Sequence, residues 1–149
     1  AETLPSAWNG AVDVHLSHAT FEHFRDVDAV VSGLARLCRP GGLGVHLVDF
    51  VDHRDSTRPL EFLLMDDASY DAANQPYRYI WGNRVKPSDL IQVWRRHGFD
   101  IRKCQVVKTN PQDYLDQFLP RLRASSSRFR DADEQDLVCA HALIVVEKT

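Results

Sequence analysis

Three groupings of side chains in this chain have residue types and spacing suited to chemistry. Ser17-His18-Ala19 close a β-prone run, Ala11–Ser17, and set an imidazole at a strand tip. A histidine there acts as a general base toward a hydroxyl or amine, or else is a polar strand-end residue with no role. His46, Asp49, Asp52 and His53 bring imidazoles and carboxylates together, as metal sites do. However, Leu43–Phe50 reads as a strand, and on a strand residues 46 and 49 point to opposite faces. They cannot share an ion unless the strand ends before Asp49, and no metal site is assigned. Asp49, at the tip of that strand, is instead a substrate-side candidate. The third grouping is Asn83-Arg84. Its guanidinium meets a substrate carboxylate bidentately, or pairs with Asp89 or Glu61 to fasten the preceding segment. His23 is read as stabilising a helix start.

The elements that must position these groups follow from hydrophobic period and breakers. Val27, Val30, Val31, Leu34, Ala35 and Cys38 recur every three or four residues, opposite Asp28, Ser32, Arg36 and Arg39. That is an amphipathic helix. Asp26 is placed to cap it, and Pro40-Gly41-Gly42 cannot extend it. The nearly continuous apolar run Leu43–Phe50 suits a parallel strand covered on both faces. A helix yielding at once to such a strand is a βαβ crossover in an α/β sheet, where ligands bind at the carboxyl ends of strands.

From 51 to 87 the periodicity fades. A short helix is expected around Leu60–Met65, beside the aromatic group Tyr70, Tyr77, Tyr79 and Trp81. This stretch reads as a lid or substrate-side insertion. Pro87-Ser88 opens a helix whose Leu90, Ile91 and Trp94 pack inward, with Gly98 as its cap. Phe99–Lys108 is a strand, Pro111–Leu122 a polar helix, and Ser125-Ser126-Ser127 a flexible joint. Leu137–Lys148 is a final strand, pairing antiparallel with its predecessor at one sheet edge.

A chain of 149 residues, 44% apolar and 26% charged, is a single globular domain, 1–149. Its net charge of -3 and pI near 6.2 argue against a nucleic-acid partner. Arg121, Arg123, Arg128 and Arg130 are followed by Asp131, Asp133, Glu134 and Asp136, which reads as a solvated helix and loop. The three cysteines, Cys38, Cys104 and Cys139, are isolated and expected to be buried and reduced. With no membrane-length apolar run and no signal peptide, a cytoplasmic protein without membrane association is expected.

Several segments in order resemble the C-terminal part of a class I S-adenosylmethionine-dependent methyltransferase. Ala1-Glu2-Thr3-Leu4-Pro5 is similar to that family's AE.LP segment. Val12-Asp13-Val14 with Ser17 resembles its fourth strand. Phe21-Glu22-His23-Phe24 is like the leHv motif, and Leu37 to Gly42 (LCRPGG) like vLkPGG. Asn83-Arg84 and Arg96-His97-Gly98-Phe99 are similar to later NR and GF segments.

The resemblance implies a Rossmann-like α/β half-sheet, strands four, five, seven and six, with the seventh antiparallel and helices flanking. It implies S-adenosylmethionine as cofactor, with Ala1 and Glu2 at the adenine pocket, Ser17, His18 and Ala19 at the strand tip, and Phe21 or Phe24 as an apolar wall. A small-molecule acceptor is expected, with His18 catalytic and Asp49, Asn83 and Arg84 on the substrate side. The family's glycine-rich loop and ribose-binding acid would both precede Ala1, so the cofactor site is expected to be incomplete within these residues. The other reading is a non-catalytic methyltransferase-like module. It would assemble as a homodimer, or with an N-terminal partner, along its first strand.

Overall fold

The computed structural model describes residues 5–75 and 81–149. Ala1, Glu2, Tyr77 and Tyr79 lie outside the described residues. The elements are β1 (Val12–His18), α1 (Val27–Leu37), β2 (Cys38–Asp49), α2 (Asp67–Asn74), α3 (Pro87–Arg96), β3 (Phe99–Thr109), α4 (Gln112–Ala124), α5 (Glu134–Val138) and β4 (Cys139–Lys148). Short 3-10 turns occupy Ser6–Trp8, Phe21–His23 and Glu61–Leu64.

Asp26 caps α1 as expected, its Oδ1 accepting from the Ala29 N–H at 2.8 Å. Leu37 is the last residue of that helix. Pro40-Gly41-Gly42, however, does not separate helix from strand. It lies inside β2 as a bulge, where the register jumps from Val12↔Cys38 to Val14↔Leu43. Gly41 takes φ +74 there, a left-handed conformation that glycine adopts without strain.

The sheet has strand order β1-β2-β4-β3. β1 and β2 are parallel, and β4 is antiparallel to both β2 and β3. This is the expected 4-5-7-6 half-sheet, with the last strand inserted between its predecessors.

Helices α1 and α3 cover one face of the sheet. Val31, Leu90, Val93 and Trp94 pack there on His46, Val48, Ala142, Ile144 and Val146. Gly44 pairs with His15, and a Cβ on it would sit 2.2 Å from His15 Cε1, so only glycine lets that ring lie over β2. The opposite face departs from the expectation of cover on both sides. Val14, Leu16 and Leu43 are exposed there, and Val45, Leu47, Leu143 and Val145 are half-buried. Cys38 and Cys139 are buried free thiols, whereas Cys104 on β3 is exposed.

A second core lies beside the sheet. Leu60, Phe62, Leu63 and Tyr70 of the 51–87 segment pack on Leu115, Phe118 and Leu122 of α4 and on Leu137. The α2 helix was not legible because its eight residues, DASYDAAN, show little amphipathic pattern. The serine run is not a flexible joint. Ser127 is buried and donates to the Leu63 carbonyl at 2.5 Å, and Ser125 Oγ donates to Leu122 O at 2.7 Å. Serine hydroxyls here satisfy backbone groups that a helix end leaves open. Arg121 pairs bidentately with Glu61, both contacts at 2.7 Å, so the basic cluster is partly committed to this second core.

Trp94 is fully buried between α3 and the sheet. Trp94→Ala is expected to lower the unfolding free energy by about 3–5 kcal/mol, measured by urea denaturation.

Candidate functional site

The parallel strands β1 and β2 end side by side, His18 opposite Leu47. The candidates at this rim separate into two groups. Ser17 turns toward the helix-covered face, its Oγ 2.7 Å from His46 Nδ1. Phe21 is buried, its ring 4.9 Å from that of His46 and 5.5 Å from that of Trp94. His18 is exposed at the strand end, and Ala19 beside it has φ 47. That left-handed turn is costly for a residue with a Cβ, and it is held by Ala19 N–H donating to Leu47 O at 3.0 Å.

Asn83 fixes the turn that follows. Its Nδ2 donates to the carbonyls of Phe21 at 2.8 Å and Phe24 at 3.1 Å, and its own N–H donates to Glu22 O at 2.6 Å. His23 therefore sits in this clamped 3-10 turn, ahead of the helix that Asp26 caps, and not at a helix start.

Arg84 is buried. It donates to Met65 O at 2.9 Å and to Asp67 Oδ1 at 2.5 Å, and its guanidinium lies 3.9 Å over the Tyr70 ring. It fastens the 51–87 segment through Asp67, where Asp89 or Glu61 had been expected. Asp89 instead accepts from the Lys86 backbone N–H, and Glu61 pairs with Arg58 and Arg121.

At the end of β2 a group assembles that the linear pattern concealed. Asp49 Oδ1 lies 3.4 Å from His141 Nδ1, and its Oδ2 lies 3.7 Å from His53 Nε2. Glu22 is buried, with both carboxylate oxygens lacking a hydrogen-bond partner, and His23 Nε2 is 3.7 Å from its Oε1. His46 is remote from this group, on the helix-covered face, as strand alternation required. Asp52 is occupied by Arg54, with contacts of 2.9 and 2.6 Å. Glu22 and His141 were missed because they come from a turn and from the last strand, and nothing in the sequence marks either as a neighbour of Asp49.

Burial sets the protonation of these groups. It drives His46 down to about 3, with the neighbouring His15 adding to the effect, and it also lowers His15 and His53. It raises Glu22, aided by the charge of Asp49 and opposed by nearby backbone N–H groups and His23. Lys86 is buried and brought to about 7, its Nζ donating to Arg84 O at 3.0 Å. Arg84 and Lys86 line a cleft of about 920 Å³, and His18 is not part of its wall.

His18 and the Ala19 backbone form an open edge at the carboxyl ends of parallel strands, where ligands of open α/β sheets lie.

Residues 1–45 match the family model of a methyltransferase domain. No curated protein matches the chain. Among solved structures, the fold is similar to an S-adenosylmethionine-dependent methyltransferase from Mesorhizobium loti, with TM-score 0.54, 15% identity, and 94% of this chain covering 64% of that one. It is similar also to the geranyl diphosphate C-methyltransferase of Streptomyces coelicolor A3(2), with TM-score 0.51, 11% identity, and 95% of this chain covering 48% of that one. A Haloferax volcanii complex of a methyltransferase with its Trm112 activator gives 0.51 and 16%, with 93% of this chain covering 55% of that one. The chain thus spans about half to two-thirds of these chains. The resemblance read from the sequence is borne out at the level of the fold, which is similar to part of these S-adenosylmethionine-dependent methyltransferase structures. Among the described residues no helix is long and apolar enough to cross a membrane.

Because the folded state holds His46 neutral down to about pH 3, while an unfolded histidine takes a proton near 6.5, stability is lost as pH falls below 6.5. Above 6.5 neither state takes the proton, and the contribution to the slope vanishes. Urea unfolding between pH 7 and 4.5 is expected to show a loss of up to about 1.4 kcal/mol per pH unit from His46 alone, a slope that His46→Gln reduces.

Proposed function

We propose that this chain forms the second half of an S-adenosylmethionine-dependent methyltransferase unit acting on a small molecule, its cofactor site completed by residues outside these 149. The observation that carries the reading is the position of β1. This parallel strand lies at the sheet edge with Val14 and Leu16 exposed, beside an uncovered apolar face. A further parallel strand and covering helices would bury both, and would bring a cofactor loop to the tip of β1.

In this reading His18 takes a proton from the acceptor's hydroxyl or amine, since it is the exposed titratable side chain at the tip of β1. Ala19 forms the adjoining wall. Ser17 and Phe21 support the rim from the core side, and Asp49 faces the acceptor from the end of β2. Asn83 and Arg84 act by holding the turn and the 51–87 segment, which closes over the acceptor as a substrate-side cover. Methyl transfer asks mainly for a positioned sulfonium and an aligned nucleophile, and a rigid rim supplies alignment.

Calorimetry of the chain alone with S-adenosylmethionine is expected to show no micromolar binding, and stoichiometric micromolar binding would refute the split site. In a chain extended upstream through a glycine-rich loop, His18→Ala is expected to lower kcat by about 10²–10⁴-fold with the cofactor KM unchanged. An unchanged kcat would remove His18 from the mechanism.

The exposed edge also favours a second reading, a non-catalytic module that assembles through β1 with another copy or an N-terminal partner. Light scattering is expected to show a concentration-dependent dimer that Leu16→Lys dissolves. A monomer at high concentration would count against self-assembly along β1.

A further inference from the structure

We propose that Glu22, His23 and His53 form a binding site for one divalent first-row transition metal ion of the Zn²⁺ type. Their candidate ligand atoms all lie within 4.8 Å of one another, and among the described residues they are the one such group of three. Around an ion with bonds of about 2.0–2.2 Å, neighbouring ligand atoms stand about 3.0–3.5 Å apart. The remaining closure is small, and the more exposed His53 and His23 rings can supply it by side-chain rotation.

The second observation is the state of Glu22. Its residue is 1% exposed, and neither carboxylate oxygen has a hydrogen-bond partner. Burying a polar group without a partner costs folding free energy, and a buried charge costs more. Glu22 nonetheless points toward two imidazoles, one 3.7 Å away, and an ion between them would satisfy it. The scaffold holds the three residues in place. Asn83 clamps the turn carrying Glu22 and His23, and His53 N–H donates to Trp81 O at 3.1 Å. Asp49, 3.7 Å from His53 Nε2, adds a second carboxylate beside the three.

The donor set decides the class of ion. Two imidazoles and one carboxylate suit zinc and its neighbours, whereas calcium and magnesium prefer all-oxygen shells. Three protein ligands leave coordination positions for water or for an oxygen of a small molecule. The site lies where the turn after β1 meets the end of β2, on the rim that carries His18, and it does not depend on the methyltransferase reading.

Titration of the full chain with Zn²⁺ by calorimetry is expected to give one ion per chain at micromolar Kd or tighter. Co²⁺ in place of Zn²⁺ is expected to give a d–d spectrum without thiolate charge-transfer bands. His53→Ala and Glu22→Gln are each expected to weaken binding at least tenfold, and Cys104→Ser to leave it unchanged. His53 lies toward the surface, so its variant decides the matter if the Glu22 variant does not fold. No saturable binding, thiolate bands with Co²⁺, or unchanged affinity in His53→Ala would each overturn the site.

Discussion

The structure depends on a stack of neutral rings between helix and sheet. The Trp94 ring lies 5.0 Å from His46 at an interplanar angle of 21°, and His15 stacks on Trp94 from β1 at 5.8 Å. Phe21 and Phe99 close the group edge-on against His46 and Trp94 respectively. This one cluster joins α3, β1, β2, β3 and the turn after β1. It works only while His46 stays uncharged, because an imidazolium there would be desolvated on every side. Ser17 gives that ring its one hydrogen bond, so the tip of β1 is fixed from within, and His18 is left to face outward.

A second constraint is the clamp at Asn83. Three hydrogen bonds from one residue hold the Phe21–Phe24 backbone, joining the far end of the 51–87 segment to the end of β1. Arg84 secures the same segment through Met65, Asp67 and the Tyr70 face. The neighbouring Asn-Arg pair thus acts as a rivet between two cores. The group of imidazoles and carboxylates at the end of β2 is presented by this rivet, and its geometry is set by backbone bonds more than by contacts among its own side chains.

The sheet is asymmetric in a way that gives the fold its meaning. One face carries α1 and α3 over buried aliphatic and aromatic side chains, while the other presents valines and leucines with no helix over them among the described residues. An apolar edge strand beside an apolar open face is a surface that folded proteins ordinarily cover. The chain matches about half to two-thirds of the length of these methyltransferase structures.

The amino-acid pattern alone specified the order of the four strands and of helices α1, α3 and α4, the cap at Asp26, the burial of Trp94 and the antiparallel last strand, because period, capping and breakers are local properties. It also carried the family resemblance, whose motifs sit at strand ends and turns. Long-range packing alone settles which histidine is buried, which serine holds it, and that Arg84 finds Asp67. Only it brought Glu22, His23, Asp49, His53 and His141 together from separate elements. These are long-range placements made by strand pairing, in which Asp49 meets His141 across 92 residues (141 − 49), and by packing around one aromatic stack. No local spacing encodes such a pairing, because a one-residue change in register would turn each of these side chains to the other face.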